Sequence, residues 1–176
     1  DEVLAGAGRT GRWLSIEHFG AVPDIVTMGK GISGGYVPLS AVLASRKITD
    51  VLAQGTGAFK HAQTFSHSPV ICAAGLAAVR YIARHKLVER AASMGELFHE
   101  KLTALKGLPG VGDVRGLGLL AGVELVADKA AKTPYPRGLR LAETFTEIAQ
   151  DNGLIVWPNV GQAQDEQGDI IMLAPP

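Results

Sequence analysis

A lysine amine attacks a carbonyl carbon only after losing its proton, so a lysine in partly desolvated surroundings is where such chemistry can start. Lys30 stands in such a place by sequence. It follows the apolar run Pro23-Asp-Ile-Val-Thr-Met28 and lies inside the glycine-rich stretch Gly29-Lys-Gly-Ile-Ser-Gly-Gly35. Two further segments carry groups of matching chemistry. In Asp1-Glu-Val-Leu-Ala-Gly-Ala-Gly-Arg-Thr-Gly11, acids and an apolar residue precede a turn that needs glycine. In His61-Ala-Gln-Thr-Phe-Ser-His-Ser-Pro69, the Thr64 hydroxyl and the loop N–H groups suit a phosphate. Each residue also has an ordinary reading: a solvated loop lysine for Lys30, a plain acid for Asp1, a strand residue for Val3, and a helix cap for Thr64. The glycines around Lys30 do not read as a nucleotide-binding loop, since Gly-x-x-x-x-Gly-Lys-Ser/Thr is lacking and no Gly-x-Gly-x-x-Gly opens a helix after a strand. Their expected role is to let backbone approach a ligand and turn sharply after the lysine. His61 and His67 have no metal-ligand spacing with other His, Cys or acids and read as loop residues.

The elements that must position these groups are legible from apolar spacing. Pro23 to Met28 and Leu39 to Ala44 read as buried strands, whose nearly continuous apolar character suits an α/β sheet covered on both faces. Lys47 to Ala53 reads as a short helix, and Gln54 to Pro69 as a polar loop. A helix is expected from Pro69, a residue suited to a first turn, and a second from Leu87 to about Leu105. Cys72 is expected at a buried position of the first. Gly107-Leu-Pro-Gly110 ends the second. Val111 to Val126 then reads as two strands joined through Arg115-Gly-Leu-Gly118, Gly138 to Asp151 as an amphipathic helix stopped by Asn152-Gly153, and Leu154 to Trp157 and Asp169 to Leu173 as two more strands.

Composition narrows the partners. The 176 residues are 47% hydrophobic and 19% charged, enough for an ordinary core. Seventeen basic and seventeen acidic side chains balance, so no global field draws the chain to nucleic acid or anionic lipid. One cysteine fits a reducing cytoplasm, and no apolar run reaches the roughly 20 residues of a membrane span. The sequence opens inside a glycine-rich motif and stops just after a strand-like run, so an internal piece of a longer protein is expected.

The ordered set of motifs resembles the class III aminotransferases, pyridoxal-phosphate enzymes of fold type I. The resemblance spans essentially the whole chain. It rests on Asp1-Glu-Val with Gly8-Arg-Thr-Gly11, the Pro23-Asp-Ile and Lys30-Gly segment, Gly34-Gly-Tyr-Val-Pro-Leu-Ser-Ala-Val42, the Thr64-Phe-Ser loop, Gly112-Asp-Val-Arg-Gly-Leu-Gly118 and Ala174-Pro-Pro176. It implies an aspartate aminotransferase-like α/β fold: residues 1–90 as the C-terminal part of the large cofactor-binding domain, 91–108 as a linking helix, and 109–176 as a small, incomplete α+β lobe. It also implies that Lys30 forms an imine with pyridoxal 5′-phosphate and then shuttles a proton, that Asp1 partners the pyridine nitrogen, and that Val3 packs on the ring. Thr64 would reach the cofactor phosphate of a neighbouring subunit, in a homodimer. The implied reaction moves an amino group from an amine or ω-amino acid to a keto acid such as pyruvate. An aminomutase, a decarboxylating relative or a catalytically silent dimerising fragment are the alternatives.

Two departures from the family's pattern bear on the substrate and the cofactor. Many relatives place a carboxylate-binding arginine just after the Gly-Leu-Ile strand, whereas Gly153-Leu-Ile-Val156 leads here to Trp157. An indole cannot form the bidentate pair of a guanidinium, so Trp157 either packs beside an apolar or cationic substrate or fills the core of the small lobe. Arg9 and Arg115 either bind a substrate carboxylate or anchor turns. The upstream segment that supplies the family's phosphate-binding turn and a stacking aromatic is not within the 176 residues.

Overall fold

Glycine and proline punctuate the first forty residues, and the strands between them are correspondingly short. The computed structural model describes residues 1–176 and separates into two units, Asp1–Ala91 and Ala92–Pro176. In the first, β1 (Ile25–Met28) pairs antiparallel with β2 (Ala41–Ala44), Met28 opposite Ala41, so the connection that carries Lys30 leaves and re-enters at the same end of the ribbon. The expected sheet covered on both faces is not formed by these two strands. Val26 is buried, yet Val42 is 70% exposed, and Ile25 and Leu43 lie open as well. An apolar run reports what a strand is suited to touch, and this chain adds no third strand to the ribbon.

Helix α1 (Arg46–Gln54) buries none of its residues. Helix α2 (Pro69–Arg84) begins at the expected proline and turns an inward stripe of Ile71, Ala74, Gly75, Ala78, Val79 and Ile82. Cys72 falls off that stripe and is exposed, which corrects the buried position expected for it. At the centre of the stripe, Gly75 packs so closely that a β-carbon there would stand 2.3 Å from Leu39 Cδ2 and 3.6 Å from the Ile32 carbonyl oxygen. Helix α2 therefore backs the segment that follows Lys30.

Helix α3 (Leu87–Thr103) runs through the boundary between the units. In the second unit, β3 (Val111–Leu117), β4 (Leu120–Leu125), β5 (Trp157–Val160) and β6 (Asp169–Leu173) form an antiparallel sheet of order β3-β4-β6-β5. The register aligns Val114, Val123 and Ile171 on one face, where they join Leu102 of α3 and Ala142 and Ala149 of α4 (Leu141–Asp151) in the core. The turn between β3 and β4 falls at Gly118 and Leu119, so Arg115 and Gly116 lie in the strand rather than in the turn. The strand expected at Leu154 starts three residues later. Leu154 N–H donates to Ala149 O and Gly153 N–H to Gln150 O, so residues just beyond α4 close the helix before the sheet resumes. Pro158 is tolerated in β5 because that strand is an edge.

Two close fits in this unit escape periodicity. Arg140 breaks the expected helix by adopting a left-handed backbone, φ 50° and ψ 45°, and Asp169 of β6 supplies the missing cap by accepting Ala142 N–H at 3.1 Å. Helix α3 presses against the β3–β4 turn at Gly95, where a β-carbon would lie 2.5 Å from Gly118 Cα and 2.8 Å from its carbonyl carbon. Backbone cannot step aside as a side-chain tip can. Gly95→Ala is expected to destabilise the fold by about 1–3 kcal/mol in denaturant titrations, and an unchanged midpoint would contradict this packing.

Candidate active site

The first motif folds into a chain of turns laid along the end of β1. Glu2 N–H donates to Thr27 O at 2.8 Å, Gly6 N–H returns to Glu2 O at 3.1 Å, and Gly11 N–H bonds Gly8 O at 2.9 Å. Glu2 is thus fixed beside the strand that leads to Lys30. Asp1 is exposed and its Oδ1 accepts Val3 N–H at 2.8 Å, which orients the carboxylate while leaving Oδ2 outside that bond.

Lys30 opens a 3-10 turn, Lys30–Ser33, directly after Gly29. Its φ of 43° lies in the left-handed region that a residue with a β-carbon enters at a cost of about 1–2 kcal/mol. The surrounding backbone enforces it. Ser33 is 2% exposed, and its hydroxyl stands 2.8 Å from Val37 O and 3.2 Å from Lys30 O, donating toward both. Ile32 is buried beside it. The glycines on either side of Lys30 admit the first motif at close range. A β-carbon on Gly31 would stand 3.0 Å from Ala7 Cβ, and one on Gly29 would meet Val3 Cγ1 at 3.5 Å. Val3 and Lys30 are brought together through these contacts, and Asp1 is held two residues from Val3. Ser33 carries no motif signal of its own beyond sitting among glycines, and its role emerges only from the fold.

The expected desolvation of Lys30 is not supplied by this chain, for the side chain is exposed. Beside it lie apolar Val3 against Gly29 and Ala7 against Gly31, with the Asp1 carboxylate bonded to Val3 N–H.

Thr64 sits in an exposed turn held by Gln63 N–H donating to Ser66 Oγ at 2.9 Å and Ser66 N–H donating to Gln63 O at 2.9 Å. It does not cap α2, whose N-cap is Ser68. His61 and His67 lie in the same exposed loop. In the second unit Trp157 is 65% exposed, so it does not fill the core. The strand register sets Trp157 in one row with Met172, Gly122 and Arg115 on the sheet face opposite the core. Arg115 anchors its own sheet. Its guanidinium pairs with Asp113 at 3.2 Å and with Glu124, and those hydrogen bonds push its pKa further up.

The chain has close counterparts among known proteins. The family model described as aminotransferase class-III matches residues 1–176. The uncharacterized aminotransferase YodT of Bacillus subtilis is 37% identical over 177 residues, an alignment that covers 100% of this chain and 40% of that protein. The crystal structure of a transaminase from the marine bacterium Virgibacillus superposes with a TM-score of 0.91 at 36% identity, covering 100% of this chain and 39% of that one. An omega transaminase from Pseudomonas jessenii, solved in complex with PMP, gives 0.88 at 36% identity, covering 100% and 38%. The chain therefore spans about two fifths of the length of these relatives.

Proposed function

This chain belongs to the class III aminotransferases, a pyridoxal-phosphate-dependent family of mixed α/β fold, and from that premise we propose that it is the lysine-bearing part of a longer transaminase. The reaction proposed is transfer of an amino group from an amine or ω-amino acid to a keto acid such as pyruvate. The observation that carries this reading is the placement of Lys30, left-handed between two glycines that pack against Val3 and Ala7 of the first motif. What supports a fit to the cofactor is that Val3 and Ala7 of the first motif meet the glycines flanking the Lys30 amine, while the Asp1 carboxylate accepts the Val3 N–H. Bound pyridoxal phosphate supplies an aldehyde for amines and a ring that takes up the electron pair released when the substrate carbon loses its proton.

The chain's own residues do the rest. Lys30 Nζ would hold the cofactor aldehyde and, as a free amine, would move a proton as base and then as acid. Asp1 would keep a proton on the pyridine nitrogen, and Val3 would pack against the ring. Thr64 contributes a hydroxyl to the phosphate from a neighbouring subunit, which makes the working unit a homodimer. The relatives are named as aminotransferases and transaminases, which favours amino transfer over the aminomutase and decarboxylating alternatives. No helix is long and apolar enough to cross a membrane. Separately, a single cysteine suits a reducing compartment, and we propose the cytoplasm.

Reconstitution of the full-length protein with pyridoxal phosphate tests the assignment directly. A visible absorbance band that bleaches with amine donors is the expected result, and a band insensitive to every donor would overturn transamination. Donor choice tests Trp157. Trp157→Arg is expected to raise kcat/KM for carboxylate-bearing donors about tenfold to a hundredfold, the value of a charge-assisted pair, while uncharged amines gain nothing. A wild-type enzyme that already prefers dicarboxylate donors would contradict the assignment.

A further inference from the structure

Between Asp1 and Val3 lies a carboxylate to which the proposed chemistry gives no task. Glu2 is 4% exposed. Its Oε2 accepts Ser15 N–H at 2.8 Å, its Oε1 accepts Ile16 N–H at 2.9 Å, and the Ser15 hydroxyl lies 2.8 Å from both oxygens. Its own main chain is tied as firmly, to Thr27 O and to Gly6 N–H. Burial alone would push the Glu2 carboxyl up, but the hydrogen bonds from Ser15 and Ile16 outweigh it and hold the group below the usual carboxylate range. Glu2 is thus held at both its carboxylate and its main chain. Beside it, Val3 donates its N–H to Asp1 Oδ1 and touches Gly29 by ordinary van der Waals contact.

We propose that Glu2 is a positioning residue for the cofactor site: anchored on Ser15 and Ile16, it fixes the main chain between Asp1 and Val3 and so sets where the Asp1 carboxylate stands relative to Lys30. The inference rests on the reading of Asp1 as partner of the pyridine nitrogen. It follows from leverage. Asp1 accepts Val3 N–H, and the residue between the two is pinned through its backbone to Thr27 and through its carboxylate to the Ser15–Phe19 turn, so a shift of Glu2 moves both neighbours. A misplacement of about 1 Å at a reacting group costs on the order of a hundredfold in rate.

The test uses full-length holoenzyme with three variants. Glu2→Gln keeps the shape but turns an amide NH2 toward at least one N–H donor, and Ser15→Ala removes the hydroxyl while leaving both backbone donors. Ser15→Thr keeps the hydroxyl. Glu2→Gln is expected to lower kcat about tenfold to a hundredfold with KM within about twofold, to weaken pyridoxal phosphate binding about tenfold, and to shift the wavelength of the bound-cofactor band. Ser15→Ala follows in the same direction by a smaller amount, and Ser15→Thr restores the wild-type values. If Glu2→Gln and Ser15→Ala lower only the melting temperature, leaving cofactor affinity, band and kcat unchanged where the protein is folded, Glu2 is a structural anchor and the proposal is overturned. A wild-type protein that shows no cofactor band would overturn the transaminase reading itself, an outcome separable from the first because it needs no variant.

Discussion

Lys30→Ala is expected to remove the covalently held cofactor band and to lower transamination about a thousandfold or more, since the same nitrogen serves as attachment point and as the acid and base of proton transfer. Alanine is a fair replacement because the backbone cost is already present in the wild type. Lys30 has φ 43°, and alanine at that position meets the same left-handed penalty. The fold of the turn rests on Ser33, Ile32 and the packing of α2 at Gly75, none of which involves the lysine side chain. A melting temperature near wild type should therefore accompany the loss of chemistry. Lys30→Arg sharpens the result. It keeps a long cation but presents a guanidinium that does not deprotonate in proteins, so it should be as inactive as alanine. An unchanged spectrum in either variant would remove Lys30 from the site.

The reasons this lysine was legible from sequence also explain what was not. Its signal was local: glycines on both sides, an apolar strand before it, and a first motif whose turn residues had to lie close to some backbone. The close approach of Gly31 to Ala7 is the physical content of that pattern. The helices starting at Pro69 and Leu87 were equally local, as was the stop after Asp151, where Gly153 takes φ 80°. Ser33, Glu2 and Asp169 were opaque because their partners are fixed only by folding. Glu2 reaches thirteen and fourteen residues ahead to Ser15 and Ile16, and Asp169 reaches back 27 residues to cap α4. Nothing in a strand-like run such as Asp169-Ile-Ile-Met-Leu173 states that its first residue will face a helix end.

The misplaced expectations share one cause. Apolar character suggests burial at Cys72, in β2 and, as one of two readings, at Trp157, yet all three are exposed. Hydrophobicity specifies a preference, and the preference is met only if some element arrives to cover it. For β5 the error was one of position rather than kind: closure of α4 by Leu154 N–H consumed the residues expected to begin the strand.

Asp1→Asn is expected to leave the cofactor band in place and to lower kcat about a hundredfold to a thousandfold, the size of effect seen when one preorganised electrostatic partner is removed from a reacting centre. The substitution is nearly isosteric, and the asparagine carbonyl can still accept Val3 N–H as Oδ1 does now. What is lost is the negative charge that makes protonation of the pyridine nitrogen favourable. Attachment through Lys30 does not depend on that charge, whereas stabilisation of the electron pair released at the substrate carbon does, so the two variants separate binding from chemistry. The double variant should be little worse than Lys30→Ala alone, because a partner to the ring nitrogen has nothing to act on once the amine that drives proton transfer is gone. Full additivity would mean that the two residues work in independent steps. A kcat for Asp1→Asn within about twofold of wild type would show that another group holds the pyridine nitrogen, and would leave Asp1 as the acceptor of the Val3 N–H alone.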